Sequence, residues 1–138
     1  MPEMGWTEEE IYLLAERAYA LYRQGHYQEA AVIFEGLTVL DPLNSYCRMA
    51  LAAVCLALGE GRRAVDELSF LLNLNPADQE VRARRCEAYC ELGNWSAASQ
   101  DLTILRRSGE QHHVQRLSWR LQAAKVALPQ ATSYGRVR

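Results

Sequence analysis

The chain has 138 residues, 49% hydrophobic and 23% charged, a length and balance that fit one domain with a real core and exclude a disordered tail. Its net charge of −2 names no partner; residues 1–45 carry eight acids against two bases and residues 106–138 seven bases against one acid, and bases spread at helical spacing read as a solvated face, not a nucleic-acid surface. No apolar run approaches the roughly 20 residues a membrane span needs, and the amino terminus lacks the basic and apolar regions of a secretory leader, so a cytoplasmic chain with four reduced cysteines is expected.

A lead-in over residues 1–10 precedes a first helix expected from Glu8 to Gln24. Thr7 stands at its cap and Glu10 at the matching place of a capping box, and Gly25 ends it in the left-handed conformation that glycine takes cheaply. A second helix runs from Tyr27 to Leu40. In it Ala30 is small enough for close helix approach, and Phe34 and Leu37 share one face. Pro42 stops it and starts the next. The same reading gives helices at 44–58, 61–74, 78–92 and 95–107. Ser108 and Gly109 then make a break, with Glu110 where the earlier units carry proline. A seventh helix follows over 111–127. Val114, Leu117, Leu121, Ala124 and Leu128 form its stripe, with Arg116, Arg120 and Lys125 off it. The stretch from Pro129 to Arg138 reads as a flexible tail.

These elements repeat at one constant step of thirty-four. Gly25 returns as Gly59 and Gly93, Ala30 as Ala64 and Ala98, Phe34 as Leu68 and Leu102, and Leu37 as Leu71 and Leu105. Leu40-Asp41-Pro42 returns as Leu74-Asn75-Pro76. One helical hairpin cannot bury its apolar face alone, whereas stacked hairpins share a continuous core. The expected architecture is therefore all-α: three units (11–44, 45–78, 79–110) in a short right-handed solenoid, closed by a capping helix over 111–128 and followed by the tail 129–138.

The run Gly25-x-Tyr27-x-Glu29-Ala30-x3-Phe34 with Asp41-Pro42 resembles the tetratricopeptide consensus over residues 11–110. A narrower stretch is similar to the small bacterial type III secretion chaperones that hold translocator proteins. It comprises Leu14-x3-Ala18-Tyr19-x2-Tyr22-x2-Gly25, then Val39-Leu40-Asp41, then Leu51-Ala52-Ala53-x-Cys55. That resemblance implies a three-repeat cytoplasmic chaperone. Such a protein keeps an aggregation-prone, secretion-bound client in the bacterial cytosol by holding an extended segment of it in a concave groove.

In such a solenoid the first helix of each pair faces the groove. Spacings of three and four bring Tyr12, Ala15, Tyr19 and Tyr22 to one face in the first repeat. Tyr46, Met49, Ala53 and Leu56 follow in the second, and Glu80, Ala83, Glu87 and Cys90 in the third. The expected peptide-binding set is Tyr12, Ala15, Tyr19, Tyr22, Tyr46, Met49, Ala53, Leu56, Glu87 and Cys90, aromatic at one end and acidic at the other. Tyrosine offers apolar area with few rotors and a hydroxyl for a client's backbone. A groove clamp for a terminal carboxylate would need cations where Ala15, Tyr19 and Ala50 stand, so that partner is not expected.

No cofactor, metal or enzymatic activity is expected. Cys47, Cys55, Cys86 and Cys90 read as small buried thiols. The adjacent His112 and His113 point about 100° apart on a helix and chelate poorly. His26 falls in a turn, Glu8-Glu9-Glu10 suit a helix amino terminus, and Trp6, Trp95 and Trp119 read as packing residues. Neither a phosphate-cradling loop nor a nucleophile elbow is present. The partner expected is a protein, without nucleic acid or membrane, and a homodimer is left open. The alternative function is a generic repeat adaptor, or an assembly subunit of a secretion apparatus, working through its convex face or basic carboxyl-terminal helix.

Overall fold

A computed structural model describes residues 5–109 and 111–137. Its elements are α1 (Glu8–Arg23), α2 (Tyr27–Leu40), α3 (Ser45–Ala57), α4 (Gly61–Leu74), α5 (Gln79–Leu92), α6 (Trp95–Arg107) and α7 (Gln111–Val137). The start of the lead-in (1–4), Glu110 and Arg138 lie outside the described residues, as do the side chains of Ala124, Lys125 and Leu128. Among the described residues every regular element is a helix, and the first six bounds fall within a residue or so of the sequence reading.

The capping box is present. Thr7 Oγ1 accepts from the Glu10 amide at 3.1 Å, and the Glu10 carboxylate accepts from the Thr7 amide at 2.9 Å. Asn44, Asp78 and Asn94 cap α3, α5 and α6 through their side chains, satisfying amides that a helix start otherwise leaves unpaired. Gly25 and Gly109 follow α1 and α6 at φ +86° and +82°, the left-handed conformation that ends a helix.

Ala30, Ala64 and Ala98 are wholly buried, as are Phe34 and Leu68 beside them, and Leu102 is nearly so. Consecutive helices pack in series. In addition α1 touches α3 and α5 touches α7, while α2, α4 and α6 do not approach one another in this way. The first helices α1, α3 and α5 share the inner side, where Tyr19, Met49 and Arg84 border one hollow.

A charged register accompanies the apolar one. Arg48 Nη1 donates to Glu67 Oε1 at 2.8 Å and Arg48 Nε to the Pro42 carbonyl at 2.7 Å. One repeat further on, Arg82 donates to Asp101 Oδ1 at 3.3 Å and to the Pro76 carbonyl at 2.8 Å. In the first hairpin the equivalent positions are Leu14 and Ile33, which pack against the core. Each arginine ties its hairpin's first helix to the second and to the proline turn before it.

Two cores meet at α5. Val81 and Ala88 join the core of the first four helices. Ala83, Cys86 and Cys90 join Leu102, Leu105, Leu117 and Leu121 from α6 and α7. Leu117 and Leu121 are buried, and each removes about 1.5–3 kcal/mol worth of apolar surface from water, so α7 covers the open edge of the last hairpin. It is continuous to Val137, past the expected boundary at 128 and through Pro129, since an internal proline removes one donor without necessarily ending a helix.

Candidate functional site

The inner face carries two adjoining hollows along the seam between α1 and α3. The first, about 560 Å³, is lined by Glu8, Ile11, Tyr12, Ala15, Glu16, Asp41, Asn44, Tyr46 and Cys47. The second, about 270 Å³, is lined by Tyr19, Tyr22, Tyr46, Met49, Ala50, Ala53 and Arg84. Tyr46 belongs to both and forms the saddle between them.

The tyrosines differ in role. Tyr12 is 60% exposed, Tyr46 48% and Tyr19 39%. Tyr22 is half-buried, with its ring 6.0 Å from Tyr19 and 5.6 Å from Tyr27, so it holds the first hairpin together while presenting an edge to the trough. Tyr12 donates to Glu16 Oε2 at 2.6 Å. That hydrogen bond, with the carboxylate's charge, holds the Tyr12 phenol above its ordinary range. Partial burial and then the charge of Glu16 do the same for Tyr46. Both phenols keep their protons; that of Tyr12 is already donated to Glu16.

Of the expected set, Tyr12, Ala15 and Tyr46 border the first hollow, Ala15 buried at its base, and Tyr19, Tyr22, Tyr46, Met49 and Ala53 border the second. Leu56, Glu87 and Cys90 border neither. Leu56 packs against the first core. Cys90 is buried beside Leu117 and Leu121 of α7. Glu87 is paired with Arg116 of α7. The acidic end of the groove is therefore corrected: α7 lies over it. His113 Nε2 meets Glu80 Oε1 at 3.0 Å, and Arg120 Nη2 meets Glu91 Oε2 at 2.9 Å. Burial opposes ionisation of Glu80, but hydrogen bonds and charge from Arg84 and His113 outweigh it and hold its carboxyl below the usual range.

The reading of Arg116 and Arg120 as a merely solvated face is corrected by the same contacts: these bases reach across to α5. Trp119, expected to pack, is 73% exposed. Beneath α7, the neighbouring Cys90 and burial push the Cys86 thiol up, and its Sγ donates to the Ala98 carbonyl at 3.3 Å. The reading of all four cysteines as buried thiols holds.

The trough also contains two residues that the sequence reading did not place there. Glu16 and Arg84 occupy the same place in the first and third repeats as Ala50 in the second, each directly after Ala15, Ala83 and Met49 respectively, and all three border a hollow. The repeat step from Ala50 would have found them. Counting only positions three and four apart made the inner stripe too narrow. Arg84 is held by Glu80 Oε2 at 3.0 Å. Among the described residues no group of histidine, cysteine or carboxylate side chains could hold a metal ion, and no helix is long and apolar enough to cross a membrane.

No family model matches the chain. A stretch of 97 residues, 70% of the chain, is 32% identical to the TPR repeat-containing thioredoxin TTL4 of Arabidopsis thaliana, and it spans only 14% of that protein's length. Among solved structures the chain is similar to PcrH from Pseudomonas aeruginosa, at 20% identity over 88% of this chain and 96% of that one, with a TM-score of 0.76. PcrH has also been solved with the chaperone binding region of PopD. SycD of Yersinia enterocolitica, in complex with a peptide of the translocator YopD, matches at 22% identity over 87% and 95% of the two chains, with a TM-score of 0.75. A tetratricopeptide repeat protein from Parabacteroides merdae matches at 25% identity over 91% of this chain and 49% of that one, with a TM-score of 0.76. The fold is that of the tetratricopeptide repeat proteins, and it closely resembles the type III secretion translocator chaperones PcrH and SycD.

Proposed function

We propose, proceeding from the tetratricopeptide-repeat fold that this chain shares with PcrH and SycD, that it is a cytoplasmic chaperone. Its trough holds an extended segment of another polypeptide, a secretion-bound client of the translocator type. One observation carries the reading: Tyr12, Tyr19 and Tyr46 stand exposed on the inner face around two adjoining hollows. An exposed aromatic cluster in a concavity is costly to leave in water and suits an extended peptide whose side chains enter the hollows while its backbone meets the phenols. Each buried anchor contributes about 1.5–3 kcal/mol. Two or three of them offset the cost of ordering the peptide and leave binding on the order of micromolar.

Tyr19 and Tyr46 are the residues for the test, because Tyr22 also packs against Tyr27. The double variant Tyr19→Ala, Tyr46→Ala is expected to keep the helicity of the wild type and to lose most of the partner that co-purifies from the native host. Unchanged recovery of that partner with an intact fold would reject the trough as the binding surface.

A second reading, an adaptor that works through its carboxyl-terminal helix, is favoured by exposed Trp119. It borders a hollow of about 440 Å³ with Arg106, Val114, Gln115, Ser118 and Gln122. Trp119→Ala separates the two: it is neutral for a trough binder and abolishes capture by an α7 adaptor.

A further inference from the structure

The carboxylates on the inner face fall into two groups. Those of α5 are neutralised within the chain: Glu80 by Arg84 and His113, Glu87 by Arg116, and Glu91 by Arg120. Those at the other end, Glu8, Glu16 and Asp41, border the first hollow, and among the described residues no cation lies within ion-pair distance of any of them. Their contacts are with neutral groups. Glu16 accepts from the Tyr12 hydroxyl at 2.6 Å, and Asp41 accepts from Asn44 Nδ2 at 3.3 Å. Two exposed tyrosine rings stand in the same hollow, and such faces attract a cation.

We propose that the trough selects a peptide carrying a lysine or arginine beside an apolar anchor, the basic side chain entering the hollow of Glu8, Glu16 and Asp41 and the apolar one the hollow of Tyr19, Met49 and Ala53. The inference rests on the trough reading and adds the chemistry of the occupant. Three like charges around one concavity repel each other and focus a negative potential there, which a peptide cation relieves. The alkyl stem of a lysine, or that of an arginine, also covers the rings of Tyr12 and Tyr46 while its charged head reaches the carboxylates. Spacing follows from helix geometry. Tyr12 and Tyr19 are two turns apart on α1, about 10 Å at about 1.5 Å per residue, and an extended peptide advances about 3.3 Å per residue. The basic and apolar residues therefore stand about three positions apart. Arg84, already held by Glu80, borders the second hollow only, so the charge preference belongs to the first.

The test uses the full chain and a displayed library of random dodecapeptides, with representatives measured by fluorescence anisotropy. The expected pool is enriched in lysine or arginine about three positions from leucine, isoleucine, methionine or phenylalanine. A representative is expected to lose about fivefold in affinity, the upper range for a partly exposed charge pair, when its basic residue becomes glutamine. Glu8→Gln with Glu16→Gln, checked for helicity, is expected to give the same loss for the basic peptide and none for its glutamine version. Should that variant not fold, the peptide-side change on the wild-type chain gives the same reading. A pool with apolar enrichment that Tyr19→Ala abolishes, but with no basic preference, would overturn the charge proposal and leave the trough reading standing. A pool indifferent to Tyr19→Ala, or no pool at all, would overturn both. Salt-sensitive self-association by sedimentation, abolished by Glu16→Gln, would also overturn it, because the occupant would then be the basic end of a second copy.

Discussion

Asp101 is the buried charged residue among those described, with its side chain 2% exposed, and its removal should be the most damaging polar substitution in the third hairpin. Its carboxylate accepts from Arg82 Nη1 at 3.3 Å, from Arg85 Nε at 2.9 Å and from Arg85 Nη2 at 2.8 Å. Asp101→Ala leaves two guanidinium groups, with side chains 11% and 20% exposed, facing a gap. Breaking a buried pair by removing one partner costs about 3–5 kcal/mol. Arg82 keeps the Pro76 carbonyl and Arg85 keeps Ser69 Oγ at 3.1 Å, so the low end, about 3 kcal/mol, is expected. Glu67→Ala, at the equivalent position of the second hairpin, is the internal control. That pair is more exposed, at 16% and 17%, and Arg48 retains its stacking on Phe70 at 3.9 Å, so about 1–2 kcal/mol is expected. Urea unfolding followed by circular dichroism measures both. Amide exchange localises the loss, which should fall on α5 to α7 because stacked hairpins lean mainly on their neighbours. A cost below about 1 kcal/mol for Asp101→Ala, or one smaller than for Glu67→Ala, would refute the role given to burial.

Three further outcomes follow from α7. Cys90 is buried beside Leu117 and Leu121, so deleting residues 111–138 should make it label rapidly with a thiol reagent while Cys47 and Cys55 stay protected; unchanged Cys90 labelling would show that α7 is not its cover. Leu117→Ala, at a wholly buried position, should cost about 2–4 kcal/mol in urea unfolding without weakening a peptide held at Tyr19 and Tyr46, and a loss of that binding would tie the trough to α7. Glu80 has a carboxyl pKa lowered in the folded state. Its contribution is therefore complete above its unfolded value and disappears as pH falls through the lower folded one, below roughly pH 4. Nuclear magnetic resonance signals from α7 amides should shift over that interval before those of α2, and α7 signals that hold constant until the whole chain unfolds in acid would contradict the assignment.

The helices were legible because each rests on a local rule repeated at a fixed step: glycine after the first helix, a small alanine at the crossing, and proline after the second. The tyrosines of the inner face were legible in the first two repeats because among the described residues no helix lies over them, whereas Leu56, on the same count, turns into the core. The face was misread in the third because burial of α5 on both sides depends on α7, which lies a whole helix further along the chain. Glu87 and Arg116 are ordinary surface charges in a linear reading, and only the packing of α7 brings them together. The register of Arg48–Glu67 and Arg82–Asp101 is not legible in the repeat pattern because the first repeat puts Leu14 and Ile33 there, which breaks the column. Trp119 looked like packing on composition alone, yet the stripe through Leu117 and Leu121 turns it outward.

A photoreactive amino acid at position 46 tests the trough most directly. Tyr46 forms the saddle of the two hollows and is 48% exposed, so a probe there fits without disturbing the core; position 32 on α2, where Val32 is 65% exposed, serves as the control. Irradiation of the complex with its co-purified partner should cross-link position 46 to one short segment of that partner and leave position 32 unlinked. Cross-links from position 32 with none from position 46 would contradict binding in the trough.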